Sequence, residues 1–424
     1  MRFLHAADLH LDSPFVGLGQ LSPAVAERLR DATFRTLDRL VERARAAGAQ
    51  CVLLAGDTFD SADRSVRAQV RLRDALTALA RDGIESLMVL GNHDPADGWA
   101  LSLEAPGVCV FPPGRPAGRD IVVEGRRVGH VDGISYPTRE VHDNYALRLR
   151  RTDDAPASVA LLHANVRGGV TSDSDYAPAR LEDLLGSGHD YWALGHVHTR
   201  QTLHPERPAV VYPGNPQGRS MRETGERGAY LVDVEDGVVH EFAFVPLCEV
   251  VFDLESVDVA EASGGGELTD LLVERLAALR AASGDRARVV RLILGGEAAG
   301  EVRDVLADHG RRRDLLAHLQ ERAEADMADA LVWPEGLVDR TERPFEAPAP
   351  GTLQADILDL AERAAADGDE GVALRREARA RLGPLFDQPG LRFLPPLADD
   401  SDLAAWLGAA AERLGRALGG EAER

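Results

Sequence analysis

Five short apolar runs in the first 250 residues share one pattern. RFLHAAD (2–8), QCVLLAGD (50–57), ESLMVLGNHD (85–94), SVALLHAN (158–165) and YWALGHVH (191–198) are β-rich, and each stops at Asp, His, Asn or Gly. Runs of this length, bounded by polar residues, predict buried strands. Between the first two, Val25, Leu29, Leu37, Leu40 and Val41 recur at helical spacing. Ser22 and Pro23 supply an N-cap and first helical residue, and Gly48 a stop. A second helix is expected over about 62–82. Strand and helix alternate, so this part is α/β. VVYPG, AYLVDVE and VVHEFAFV, within 208–246, predict short strands on the far side of a two-sheet sandwich.

The texture changes near residue 250. EVVFDLESVDV and ARVVRLILGG predict strands, and 267–282 and 301–325 predict helices. ERPFEAPAPG (342–351) is a Pro-rich linker candidate. Beyond it, helical periodicity covers 353–366, 370–382 and 401–418. Leu403, Trp406, Leu407 and Leu414 form an apolar stripe there, suited to docking on a partner helix. Three regions follow: 1–249, a small α/β domain over 250–341, and a linker with helices over 342–424. There is no internal repeat.

Composition narrows the field. No apolar run approaches the ~18–20 residues that span a bilayer. The N-terminal MRFLHAADLH lacks a basic segment followed by an apolar stretch, so no signal peptide is expected. Cys51, Cys109 and Cys248 are scattered, which fits a reducing cytoplasm and neither a disulfide framework nor a thiolate zinc site. The net charge is -22, and there is no lysine. Codon usage of a GC-rich genome or a salt-adapted surface would each produce this. Residues 1–250 hold 27 Arg and 35 acids, a net of -8; the rest hold 21 and 35, a net of -14. This argues against a broad basic face for nucleic acid, so any grip on phosphate must be local.

The strand ends carry the chemistry. They present Asp8 and His10, Asp57, Asn92-His93-Asp94, His163, and His196 and His198. Strand ends in an α/β sheet share one edge, where ligands bind. Carboxylate, imidazole and amide oxygen suit Mn, Fe or Zn. Seven ligands shared by two ions need one bridging carboxylate, and Asp57 stands alone at its strand end. Residues two apart in an extended chain point the same way, so Asp8 with His10, and His196 with His198, can reach one cluster. Gly56, Gly91 and Gly195 allow sharp exits. His5 reads as a packed core histidine. His130, His142, His189, His204 and His240 read as structural or surface groups.

In order, DLH, GDTFD, GNHD, LLHAN and GHVH resemble the five motifs of calcineurin-like metallophosphoesterases. FLHAADLHLDSPF and VVYPGNPQGRS are similar to the bacterial DNA-repair exonuclease branch, the SbcD family and its YhaO-type relatives. The resemblance covers roughly 1–250. It implies a four-layer α/β/β/α sandwich, followed by a small α/β capping domain and a helical C-terminal segment. The implied activity is two-metal phosphodiester hydrolysis of DNA by a bridging hydroxide, in end processing with an SMC-like ATPase of the SbcC/YhaN type. The implied cofactors are two divalent ions, Mn2+ foremost, with Fe2+ or Zn2+ also suited. The family tends to dimerise, and no membrane partner is implied.

Residue by residue, the resemblance gives Asp8, His10, Asp57 and His198 to one ion. It gives Asp57, Asn92, His163 and His196 to the other. His93 becomes the general acid, oriented by Asp60 of the D-x-x-D arrangement, with Asp94 as second choice. Arg167, Asn215 and Arg219 are the expected substrate contacts, with Arg222 nearby. Asn215 stands where many relatives carry serine. Two other functions stay in view: a phosphodiesterase for nucleotides or small phosphoesters, and a regulatory or structural subunit of an ATPase complex. GDTFD and GNHD argue against the protein phosphatase branch, whose motifs are GDxVDRG and GNHE.

Overall fold

A computed structural model describes residues 1–18, 21–60, 65–98, 105–152, 154–167, 176–326, 330–343, 348–366, 368–386 and 400–420. The chain forms two compact units. The first is Met1–Val257 with Leu272–Ile293 and Arg312–Val338. The second is Asp258–Leu271, Leu294–Arg311 and Asp339–Arg424.

Two six-stranded sheets make the body of the first unit. One runs in the order Val238–Pro246, Gly228–Glu235, Arg2–Ala6, Cys51–Ala55, Glu85–Val89, Val108–Val110. The other runs Gln201–His204, Ala209–Tyr212, Tyr191–Gly195, Ser158–His163, Arg126–Ile134, Ala117–Val123. The motif-bearing strands are parallel to their neighbours of the same kind, with Leu4 opposite Val52, Leu53 opposite Leu87, and Gly195 opposite His163. Strands covered on both faces need apolar side chains on both, which is why these five read as continuous runs.

Phe3, Leu53 and Leu87 of the first sheet meet Val159, Leu161, Tyr191 and Val211 of the second in one core. Behind the first sheet, helices Ala32–Ala46 and Val66–Arg81 pack Phe34, Leu37, Leu72 and Leu76 onto Leu4, Leu54 and Met88. Behind the second, Leu184, Tyr145 and Leu149 cover Ile134, Leu162 and Leu194. The order of layers is helix, sheet, sheet, helix.

Local sequence explains the boundaries. The Ser22 side chain accepts from Val25 N at 3.3 Å, with Pro23 opening the helix. Ser65 caps the second expected helix, accepting from Ala68 N at 3.0 Å; residues 61–64 lie outside the described part. The first expected helix is two, Pro23–Arg30 and Ala32–Ala46, separated at Asp31. The stretch 301–325 is likewise two helices, Gly300–Ala307 and His309–Ala325. Asp308 is extended there, and its carboxylate accepts from Arg311 N at 2.8 Å, a cap that starts a new helix.

The strands of 208–246 do not lie together on the far side. Ala209–Tyr212 joins the second sheet, but the hairpin Gly228–Pro246 extends the first beside Arg2–Ala6. Strand Val250–Asp258 opens a three-stranded sheet; within the first unit its Phe252, Val289 and Trp333 pack with Val25 and Leu29. In the second unit, helices Leu353–Ala365, Asp369–Phe386 and Asp400–Gly420 bury Leu403 and Ala411 and leave Trp406 and Leu414 partly exposed. Of the expected linker, 344–347 lies outside the described residues.

Candidate metal centre

The five motif strands divide three to two between the sheets. Arg2–Ala6, Cys51–Ala55 and Glu85–Val89 belong to the first, and Ser158–His163 and Tyr191–Gly195 to the second. The polar residues therefore gather where two sheets meet, rather than along one sheet edge. The meeting is close. A Cβ on Gly195 would lie 1.9 Å from the Ala55 carbonyl oxygen, and one on Gly91 would lie 2.3 Å from Asp57 Oδ1. Only glycine fits at either place.

The alternation argument for Asp8 with His10 and His196 with His198 does not hold. Their strands end at Ala6 and Gly195. Asp8, His10, Asp57 and His196 have φ of 54°, 40°, 49° and 100°, in or near the left-handed region. They converge because the backbone turns back on itself, not because it stays extended. Such conformations cost on the order of 1–3 kcal/mol each and cluster at functional sites. Asp8 N and His10 N are tied to the carbonyls of Gly56 and Asp57, both at 3.1 Å, which holds the turn in place.

Three groups of donors result, two of them overlapping. Asp8, His10 and His198 form the first; Asp57, His163 and His196 form the second; His10 also lies with Asp60 and His93 in the third. In the first, His10 Nε2 faces His198 Nε2 at 3.2 Å. His10 Nδ1 is buried without a hydrogen-bond partner. Asp8 accepts from the His196 N–H at 3.0 Å. In the second, Asn92 Oδ1 lies 2.9 Å from His163 Nε2 and 3.2 Å from His196 Nδ1. His163 Nδ1 donates to the Ala55 carbonyl at 2.8 Å, which turns Nε2 toward Asp57 Oδ2 at 3.3 Å. Facing imidazole nitrogens, an orphaned ring nitrogen and converging carboxylate and amide oxygens fit divalent cations well.

Electrostatics agree with that fit. Burial favours neutral Asp57, but His163 and then His10 overcome it, holding its carboxyl far below the usual range. Burial likewise opposes charge on His163, yet Asp57 and Asp8 raise it to about 9. Burial raises Asp8 and lowers His10. A cation would displace the His163 Nε2 proton and take over its role as countercharge.

His93 stands beside these groups, with its N–H on Asp57 Oδ1 at 2.9 Å. Its ring Nδ1 meets Asp60 Oδ1 at 3.1 Å. That bond to Asp60 is the main cause of a raised imidazole pKa. Asp94 serves elsewhere: its oxygens accept from Gly91 N at 2.7 Å and Thr58 N at 2.8 Å, pinning two motif loops together. Burial, and then Asp57, push Asp94 up to about 6. Asp94→Ala leaves those buried amides without acceptors and should lower the unfolding free energy by about 2–3 kcal/mol in urea titration. A loss below about 0.5 kcal/mol would place it with ordinary surface changes and refute the clamp.

The expected substrate contacts separate. Arg219 lies at the site, its Nη1 reaching Ser13 Oγ at 3.3 Å and Asp60 Oδ2 at 3.5 Å. Arg167 and Arg222 are exposed. Asn215 is buried, and its amide is engaged by Gln217 O at 2.8 Å, Glu223 Oε2 at 3.0 Å and Arg227. With both ends of the amide occupied, Asn215 supports the loop and has no free group for a substrate. Glu223, Arg227 and Ser13 escape sequence reasoning. Glu223 Oε1 accepts from His198 Nδ1 at 2.7 Å. Its neighbour Arg219 lies four residues away, but nothing in the spacing points to His198 and Asn215, which lie 25 and 8 residues away. His5 is a core residue as expected, buried between Tyr191 Oη and the Leu194 carbonyl, with burial bringing it down to about 3.

Comparison with known proteins adds a lineage to this geometry. A family model described as calcineurin-like phosphoesterase matches residues 1–200. A second, the middle domain of metallophosphoesterase YhaO, matches 252–342. The uncharacterized metallophosphoesterase YhaO of Bacillus subtilis is 38% identical over 343 residues, covering 81% of this chain and 82% of that protein. DNA double-strand break repair protein Mre11 of Methanopyrus kandleri is 28% identical, covering 80% of this chain and 75% of the relative. The SbcD component of nuclease SbcCD from Bacillus subtilis is 26% identical, covering 56% of this chain and 67% of the relative.

Proposed function

The chain belongs to the calcineurin-like metallophosphoesterase family, and we propose that within it this protein is a two-metal DNA nuclease. It would process DNA ends in repair with an SMC-like ATPase of the SbcC/YhaN type, in the cytoplasm. The observation that carries the reading is the pairing of two donor groups with a third element, His93 held by Asp60, at one seam. Relatives named for double-strand break repair and as part of a nuclease support DNA as the substrate. The regions 1–249, 250–341 and 342–424 would act as nuclease, cap and partner-docking segment.

Asp8, His10 and His198 would hold one ion and Asn92, His163 and His196 the other, with Asp57 shared. Mn2+ suits this oxygen and imidazole set, as do Fe2+ and Zn2+. When bound, such ions neutralise phosphoryl charge and acidify a water. The chain does the rest. Asp60 keeps His93 protonated and aimed. His93 then gives its proton to the departing sugar oxygen. Arg219, whose fork suits phosphate geometry, steadies the substrate beside it.

The deciding experiment is a Mn2+-dependent cleavage assay on single-stranded and duplex DNA, run beside bis-p-nitrophenyl phosphate. Cleavage of DNA, abolished by chelation, is expected. Hydrolysis of the nitrophenyl ester alone would favour a small-phosphoester enzyme. Binding of two ions with no hydrolysis of either would favour a regulatory role in an ATPase complex.

A further inference from the structure

We propose that Glu223 is a positioning residue that sets one candidate metal position and the neighbouring arginine together, an inference that rests on the metal-dependent reading above. Its two oxygens face different ways. Oε1 accepts from His198 Nδ1 at 2.7 Å. Oε2 accepts from the Arg219 backbone N–H at 2.7 Å and from Asn215 Nδ2 at 3.0 Å.

The first contact decides the His198 tautomer. A carboxylate can only accept, so Nδ1 must carry the proton, leaving the Nε2 lone pair free. Nε2 is the nitrogen that faces His10 Nε2 at 3.2 Å. The Arg219 guanidinium also lies 3.5 Å from Nδ1 and, as a donor, would favour the opposite tautomer, but the carboxylate at 2.7 Å is much the closer contact. The second contact holds the loop that aims Arg219 at Asp60, 3.5 Å away. Arg227 closes the frame: it donates to the His198 carbonyl at 2.6 Å and to the Glu223 carbonyl at 3.0 Å. One carboxylate thus links a metal ligand to a phosphate-facing cation.

Glu223→Gln is the discriminating change because it keeps the shape. A glutamine has one carbonyl oxygen, which can serve His198 or Arg219 but not both. If that oxygen serves Arg219, the amide NH2 faces His198 Nδ1 and favours the ring tautomer with its proton on Nε2; if it serves His198, the NH2 faces the Arg219 N–H. Isothermal titration of metal-free protein with Mn2+ is expected to show two sites in the wild type. In E223Q one site should weaken about 10–100-fold and the other stay within about twofold. Equal weakening of both sites, or none, overturns the proposal. Should E223Q fail to fold, the wild type decides alone: nitrogen NMR of its imidazoles with Zn2+ bound should find His198 protonated at Nδ1 and metallated at Nε2. The opposite tautomer overturns the proposal. A wild type that binds no Mn2+ sinks the metal-dependent reading itself, whereas unchanged binding in E223Q sinks only the role of Glu223.

Discussion

Alanine at position 93 is expected to slow the proposed DNA cleavage roughly 10²–10⁴-fold, the usual worth of a positioned general acid. The expectation rests on position and protonation together. His93 is 30% exposed, so a leaving oxygen can reach it, and its Nδ1 is held by Asp60 at 3.1 Å. That bond raises its pKa, so the ring enters the reaction carrying a proton. The residues proposed to hold the two ions do not include it, so His93→Ala should keep wild-type metal content by elemental analysis, even though His93 also lies with His10 and Asp60 in a third donor group. Leaving groups supply the sharper test. A sugar alkoxide is a poor leaving group and needs the proton, whereas a nitrophenolate departs without one. Loss on bis-p-nitrophenyl phosphate should therefore be about tenfold or less. Equal losses on both substrates, or depleted metal, would remove His93 from the role of proton donor.

The same residue shows how far the chain can be read unaided. His93 and the other strand-end residues are visible because each follows an apolar run that stops abruptly. Such stops are local, and strands buried on both faces make them conspicuous. Sheet membership is not visible. Nothing in SVALLHAN or YWALGHVH says that these strands pair with each other rather than with Cys51–Ala55, because pairing is decided by partners far along the chain. The mechanism of convergence is also hidden, since two-residue spacing suggests alternation while the backbone at Asp8 and His10 adopts positive φ. The hairpin Ala117–Ile134 gives little apolar signal, being half exposed, and its turn is set by Glu124 and Gly125 at φ of 50° and 78°. Glu223 is out of reach for a different reason: a half-buried carboxylate looks like any other Glu until its partners are known.

Asp57 should be the costliest residue to lose. Its oxygens serve both sides of the pocket: Oδ1 receives the His93 N–H at 2.9 Å, and Oδ2 lies 3.3 Å from His163 Nε2. It also interacts electrostatically with His10 and Asp8 of the other donor group. Asp57→Ala removes the carboxylate proposed to be shared, leaving each donor group one ligand short. It also leaves His163 buried without its main countercharge, so that imidazole should become neutral. Both ions should be lost from the isolated protein, and with them several kcal/mol of transition-state charge stabilisation, at least about a thousandfold in rate. Asp8→Ala is the matched control, because Asp8 is proposed to serve one ion alone and should cost one ion. Metal stoichiometry separates the cases once circular dichroism confirms that each variant is folded. If Asp57→Ala retains one ion at wild-type affinity, Asp57 serves a single site, and the proposed sharing fails while the site itself survives.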